Sequence, residues 1–118
     1  VLDKEATQAL YEDFDYDTVV AASRSIADVL AEDSGYLSLV VFYDHPDVSN
    51  LVQFRMRRSE RFKRYDLRNI IQMFDIENGG GHEGAVGFRI PSNQIDNIES
   101  YTAEIIEKVE SAIAGLVD

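Results

Sequence analysis

The chain contains no cysteine, and it has only two prolines and two histidines among its 118 residues. Without cysteine, disulfide bonds and thiolate metal sites are excluded, and a reducing compartment is compatible with the composition. The low proline content and the hydrophobic fraction of 45% disfavour intrinsic disorder. We therefore expect a globular chain.

Long apolar runs are also missing. No stretch reaches the length of a transmembrane helix, and the start lacks the basic-then-apolar pattern of a signal peptide. We expect no membrane partner and a cytoplasmic location. The chain begins at Val1 without a methionine, which is typical of a processed chain or of a domain excised from a longer one, and we favour excision.

Basic residues are scarce and unevenly placed. The chain has 11 basic and 22 acidic residues, for a net charge of −11. Seven of the basic residues nevertheless fall within one short stretch: Arg55, Arg57, Arg58, Arg61, Lys63, Arg64 and Arg68. A basic patch on an acidic body can bind an anion that the overall charge would not predict, and such binding should weaken with salt.

Periodic patterns predict a single α/β domain with a small mixed β-sheet flanked by helices, spanning residues 1–118. Residues 1–16 are either an acidic first helix or the end of an interdomain linker. The nearly continuous apolar run of residues 36–43 predicts a strand in the middle of the sheet. The predicted elements are helices over 3–12, 17–32 (capped by Asp17 or Thr18) and 66–74, strands over 36–43, 51–58 and 86–90, and a long last helix capped by Ser92.

The strand over residues 51–58 is predicted to be an exposed edge or to line a cleft. Its side chains alternate between two faces. The apolar face carries Val52, Phe54 and Met56, and the opposite face carries Gln53, Arg55 and Arg57. The polar face could line a cleft.

A glycine-rich segment is the most distinctive local feature. Five of the seven glycines lie between Gly79 and Gly87, and the run Gly79-Gly80-Gly81 is followed by His82. Glycine lets the backbone adopt positive φ and come close to a ligand, and successive amides can form an anion-binding nest. His82 adds a donor whose charge changes near neutral pH. We predict phosphate binding, although such a cluster is more often a tight turn.

These residues resemble a known family. An arginine on a strand, a short helix, and then Gly79-Gly80-Gly81-His82-x-x-Ala85-x-Gly87-Phe88 entering a strand is similar to the DHH-associated carboxy-terminal domain of the DHH phosphoesterases. That group includes RecJ-type exonucleases, oligoribonucleases, cyclic-dinucleotide phosphodiesterases and exopolyphosphatase-related proteins. The resemblance covers the chain from about Tyr36 to the last helix.

The resemblance implies that catalysis and substrate binding lie in two different domains. In the family an amino-terminal DHH domain holds Mn²⁺ and performs hydrolysis, while the smaller domain binds the substrate. It implies that Gly79, Gly80, Gly81, His82 and Arg55 contact a phosphate-bearing nucleotide or short oligonucleotide, and Arg57 shares the face of Arg55. The implied partner is the DHH domain of the same chain, which is absent from this sequence. A homodimer is left open.

Catalysis within these residues themselves is not expected. Metal-assisted phosphoester hydrolysis needs several carboxylates and histidines around one or two cations, and the two histidines are far apart in sequence. We therefore assign no catalytic residue and no metal or cofactor site to this sequence, and place Mn²⁺ in the implied catalytic domain. The parent protein is expected to be a hydrolase.

Two other functions remain open. A non-catalytic module for single-stranded nucleic acid or nucleotides would use the basic stretch to follow the backbone, with Phe54 and Phe62 as candidate stacking aromatics, although Phe54 is expected in the core. An upstream Asp-His-His segment would favour the enzyme instead. A purely structural dimerisation domain would leave the glycine segment unexplained.

Overall fold

The computed structural model of the protein describes residues 1–62, 66–69, 80–82 and 84–114, with only the backbone described for His82. These residues confirm a single α/β domain in which a small sheet is flanked by helices. None of the described helices is both long enough and apolar enough to cross a membrane. The elements are α1 (Lys4–Asp13), α2 (Tyr16–Ser34), β1 (Leu37–Tyr43), β2 (Leu51–Arg58), β3 (Gly80–His82), β4 (Ala85–Pro91) and α3 (Ile98–Ala114).

The first two helices begin at aspartate caps. Asp3 Oδ1 accepts a hydrogen bond from the Ala6 amide at 2.8 Å, and Asp15 Oδ1 accepts one from the Thr18 amide at 2.8 Å. The prediction that Asp17 or Thr18 caps α2 is wrong, because Thr18 is the residue whose amide the cap satisfies. Helix α2 ends at Gly35, whose φ of 71° is the left-handed conformation that glycine adopts without steric cost.

The last helix begins later than predicted. Ser92 does not cap it, because Ser92–Gln94 forms a separate 3-10 turn. Helix α3 begins at Ile98, and Asn97 Oδ1 accepts a hydrogen bond from the Ser100 amide at 2.9 Å. The side-chain oxygen of Asn97 therefore satisfies the first turn of the helix. The predicted helix over residues 66–74 lies largely outside the described residues.

The described sheet has the strand order β1-β2-β4-β3, and all of its pairings are antiparallel, so the described strands do not form the predicted mixed sheet. Strand β1 lies at one end of this order, so the prediction that residues 36–43 form the middle of the sheet is wrong. Strand β2 is central rather than an edge. The apolar run of β1 has a different cause, since α2 packs against one face of the strand and Val41 on the other face is buried in the core with apolar residues of α3. At its outer edge, the Leu2 amide donates to the Val41 carbonyl at 2.9 Å.

The two faces of β2 separate the core from the candidate site, as the alternation predicts. Val52, Phe54 and Met56 are buried, at 0, 0 and 4% exposure. They pack with Val41, Val86, Phe88 and the stripe of α3, which consists of Ile105, Val109 and Ile113. The opposite face of the sheet carries the polar residues of β2 and is covered by α2, where Ser38 Oγ donates to the Ala27 carbonyl at 2.6 Å.

Candidate functional site

Strand register places Arg55 in line with two glycines. Arg55 pairs with Gly87 of β4, and Gly87 pairs with Gly80 of β3. Residues paired in this way across a sheet share one face. Neither Gly87 nor Gly80 has a side chain, so the surface beyond Arg55 is bare backbone, which we call the glycine floor.

The glycines have three different structural roles. A Cβ on Gly87 would lie 2.6 Å from Arg55 Nη1, so this glycine makes room for the guanidinium. Gly81 has φ of 144°, and a Cβ there would lie 2.2 Å from the Ala85 carbonyl oxygen, so it is required by the β3–β4 hairpin. A Cβ on Gly80 would meet nothing within 4 Å. Gly80 therefore faces open space, and neither side-chain packing nor a positive φ requires a glycine at this position.

A cavity of about 180 Å³ lies over the glycine floor. We call it the Arg55 cavity, and the residues that line it include Arg24, Arg55, Arg57, Gly80, Gly81 and Gly87. It brings together four of the predicted site residues, Arg55, Arg57, Gly80 and Gly81. Gly79 lies outside the described residues. The backbone of His82 pairs with Ala85, which in turn pairs with Arg57.

Buried polar side chains hold Arg55 in place. Arg55 Nη2 donates to Gln53 Oε1 at 2.7 Å, and Gln53 Nε2 donates to Asp44 Oδ1 at 2.5 Å. Gln53 and Asp44 are 1% and 5% exposed. Because the carboxylate can only accept, it directs the amide nitrogen of Gln53 toward itself and the amide oxygen toward Arg55.

Two hydroxyl groups complete this chain of hydrogen bonds. Tyr16 accepts from Gln53 Nε2 at 2.8 Å and donates to Asp44 Oδ1 at 3.1 Å. Ser49 Oγ donates to Asp44 Oδ2 at 2.6 Å. Nothing in the sequence signals these roles, because Asp44 lies in a predicted turn and its contact with Gln53 depends on the fold.

The guanidinium of Arg55 retains unused binding capacity. Among the described residues, its buried Nε has no hydrogen-bond partner. Burial first, and then the nearby positive charges of Arg24 and Arg89, hold the pKa of Arg55 below its ordinary value. The guanidinium remains charged at neutral pH. A buried donor on a charged group is costly unless it is paired, so an anion bound beside Arg55 would be stabilised.

Part of the basic stretch stabilises the fold. Arg57 Nε forms an ion pair with Asp28 of α2. Arg61 Nη2 donates to the Glu32 carbonyl in the last turn of α2, and Glu32 Oε1 accepts from the Glu60 amide at 2.8 Å. These contacts join the end of β2 to α2. Lys63 and Arg64 lie outside the described residues.

The two candidate stacking aromatics pack against other rings of the protein. Phe54 is fully buried and stacks on Phe88 with ring centroids 4.9 Å apart. Phe62 is half-buried, and its ring meets that of Tyr36 edge-on at 4.7 Å. The fold therefore occupies both rings that the single-strand hypothesis would use for base stacking.

Two arginines near Arg55 were missed by sequence reasoning. Arg89 lies two residues after Gly87 on the same strand, so strand alternation predicts that the two residues share a face of the sheet. Arg24 is an isolated basic residue on an otherwise acidic helix. Only the packing of α2 on the sheet brings it to the Arg55 cavity, and the sequence carries no signal for that.

Acidic and histidine side chains do not cluster as metal ligands in the part of the chain that the structure describes. There, no group of three or more histidine, aspartate or glutamate residues could hold a metal ion. The chemistry that these residues support is electrostatic and hydrogen-bonded binding of an anion.

Comparison with known protein families identifies the family of the domain. The family model of the DHHA1 domain matches residues 6–114. A comparison with curated proteins found no match. The DHHA1 domain is associated with the DHH phosphoesterases. The matched segment covers all of the described strands and nearly all of the described helices. The chain belongs to the DHHA1 domain family.

Proposed function

We propose that this domain is the substrate-binding part of a manganese-dependent DHH phosphoesterase that hydrolyses short oligonucleotides or nucleotide phosphates. One observation carries the proposal: among the described residues, the buried Arg55 Nε has no hydrogen-bond partner, and Gly80, which lines the same cavity, faces open space. A phosphate there would gain charge-assisted hydrogen bonds from Arg55. The absence of a side chain at Gly80 would let the phosphate approach the backbone closely, and the absence of one at Gly87 makes room for the guanidinium.

The remaining predicted residues supply secondary contacts in this proposal. The amides around Gly79, Gly80 and Gly81 would donate to phosphate oxygens, and His82 would add a side-chain hydrogen bond. Arg57 is a weaker candidate than Arg55, because its guanidinium is already paired with Asp28. The chain has no catalytic residue in this proposal.

Hydrolysis is assigned to a DHH domain of the parent protein. The described residues form no metal site, and we place the manganese ions in that second domain, where they would activate water for attack on phosphorus. The absence of cysteine is compatible with the cytoplasmic location that we propose for the enzyme.

The proposal is tested by titrating the protein with a short 5′-phosphorylated ribonucleotide at low salt, followed by backbone amide NMR. An unphosphorylated oligonucleotide of the same sequence is the control ligand. We expect shifts centred on Arg55, Gly80 and Gly81 that require the phosphate. Arg55→Ala should weaken binding about tenfold, the effect of losing one good charge-assisted contact.

The matched control variant is Lys108→Ala. It removes one positive charge from an exposed position on α3, which packs on the other face of the sheet. We expect it to change affinity less than about twofold, because the interaction between an exposed charge and a ligand on the opposite side of the sheet is weak in water. Equal effects of Arg55→Ala and Lys108→Ala, or shifts that do not require the phosphate, would contradict the proposal.

A further inference from the structure

Two arginines outside the motif on which the family resemblance rests border the Arg55 site. Arg24 lines the Arg55 cavity from α2. Arg89 pairs with Gln53 and follows Gly87 by two residues on β4, so it lies on the same sheet face as Arg55, one step further along the strand. Two residues on an antiparallel strand span about 6.8 Å. Arg89 therefore extends the positive surface beyond the cavity.

No carboxylate of the described residues forms an ion pair with either arginine. Among the described residues, neither Arg24 nor Arg89 has a carboxylate oxygen within 4.0 Å, whereas Arg57 is paired with Asp28. Both are exposed, and both are near enough to Arg55 for their charges to lower its pKa. The charge of Asp44 acts on the pKa of Arg55 in the opposite direction and raises it. The two carboxylate oxygens of Asp44 already accept hydrogen bonds from Gln53, Tyr16 and Ser49.

Unpaired positive charges held close together destabilise a fold unless a ligand neutralises them. The three arginines do not all face the same space, however. Arg24 and Arg55 face the same cavity, while Arg89 does not line it. A phosphoryl group in the cavity would contact the first two, and Arg89 would remain available to a group beside it.

We propose that Arg24 and Arg55 bind one phosphoryl group in the cavity and that Arg89 binds a second, adjacent phosphoryl group of the same ligand. This inference rests on the proposed function and narrows it, because it makes the preferred ligand one with two neighbouring phosphoryl groups. It also assigns the second contact in the cavity to Arg24 instead of Arg57.

The test compares inorganic phosphate with pyrophosphate by isothermal titration calorimetry of the protein at low ionic strength. For Arg24→Gln we expect about a tenfold loss of affinity for both ligands. For Arg89→Gln we expect about a tenfold loss for pyrophosphate and less than about a twofold loss for phosphate. Both side chains are exposed, and circular dichroism checks that the variants fold.

Two controls separate specific contacts from general electrostatics. Lys108→Gln removes the same charge from the opposite side of the sheet and should change either affinity less than about twofold. The double variant Arg57→Gln/Asp28→Asn removes the ion pair without changing the net charge, and should lower pyrophosphate affinity less than Arg24→Gln does.

Each result supports or overturns a defined part of the inference. Equal losses for both ligands in Arg89→Gln, or no loss for either, overturn the second subsite. An unchanged Arg24→Gln, or a larger loss in the Arg57/Asp28 double variant, overturns the assignment of Arg24. If Arg55→Gln also binds both ligands as the unmodified protein does, the proposed function itself fails, so the two failures are distinguishable.

Discussion

Arg55 depends on Gln53 for its position at the candidate site. The Gln53 amide is buried between Asp44 and Arg55 and contacts both at hydrogen-bond distance. A side chain held by two partners of opposite hydrogen-bonding character has one favourable orientation. Gln53 therefore acts as a positioning residue, and the placement of the guanidinium is determined before a ligand arrives.

Gln53→Leu is expected to destabilise the protein by about 1–3 kcal/mol, because it removes the partner of Arg55 Nη2 and one of the hydrogen bonds to the buried Asp44 carboxylate. It should also weaken phosphate binding, since the guanidinium loses its anchor. Urea denaturation and phosphate titration measure the two effects. Ser49→Ala is the control, because it removes a different hydrogen bond of Asp44 and leaves the contact between Gln53 and Arg55 intact. Unaltered binding in Gln53→Leu would show that Arg55 needs no anchor.

Gly87 and Gly80 form a matched pair for testing the glycine floor. Gly87→Ala would place a Cβ 2.6 Å from Arg55 Nη1, so the guanidinium must move and phosphate binding should fall. Gly80→Ala would add a methyl group to open space. We expect Gly80→Ala to leave the free energy of unfolding within about 1 kcal/mol and to weaken binding only by occupying ligand space. Phosphate titration measures the affinity of both variants. If both bind phosphate as the unmodified protein does, the ligand does not occupy the space over the glycine floor.

At the level of elements, α1 is fixed to the sheet through its tyrosine. Tyr11 OH donates to the Tyr43 carbonyl at the end of β1 at 2.9 Å, and the Tyr11 ring meets His45 edge-on at 5.0 Å. Burial first, and then the charge of Asp44, raise the pKa of Tyr11 to about 12 from an ordinary value of 10.0. The contact between α1 and β1 therefore favours the protonated phenol.

This shift predicts a pH dependence at alkaline pH. Because the pKa of Tyr11 is higher in the folded than in the unfolded state, its stabilising contribution is fully present below pH 10 and is lost as pH rises toward about 12. Tyr11→Phe should remove that part of the alkaline loss and should delete one late step from the tyrosinate absorbance titration. Identical alkaline unfolding profiles for the two proteins would refute the assignment.

Some elements were predictable from local pattern, and others were not. The two faces of β2 follow from the alternation of its side chains, and the start of α1 follows from Asp3, because both signals lie within a few residues. The position of β1 at the edge was not predictable, since packing on both faces gives the same apolar run as a central strand. The alignment of Arg55 with Gly87 and Gly80 required the pairing register, and the approach of Arg24 required the docking of α2.

At the level of the whole molecule, a local positive surface lies on a strongly acidic protein. The net charge is −11, yet Arg55 and Arg89 share one face of the sheet and Arg24 approaches that face from α2. The global field repels a phosphate ligand, and the local field attracts it. Short-range contacts must therefore dominate binding.

Salt is expected to weaken phosphate binding several-fold between about 0.01 M and about 0.15 M ionic strength, over which the Debye length falls from about 30 Å to about 8 Å. Attraction by the exposed Arg24 and Arg89 is screened more than attraction by the half-buried Arg55. Calorimetric titration at a series of salt concentrations measures this slope, and it should become shallower in Arg24→Gln. Affinity that rises with salt would indicate that repulsion by the acidic body dominates.

The edge strand β1 also bears on solubility. Leu37–Tyr43 contains no charged residue and is rich in branched and aromatic side chains, a composition that favours pairing with strands of other molecules. The Leu2 amide bonds to Val41 at this edge, and α1 is anchored at its end through Tyr11. Loosening the segment before α1 would expose the strand to intermolecular pairing, so the resistance of this domain to aggregation depends on residues that lie outside the ligand site.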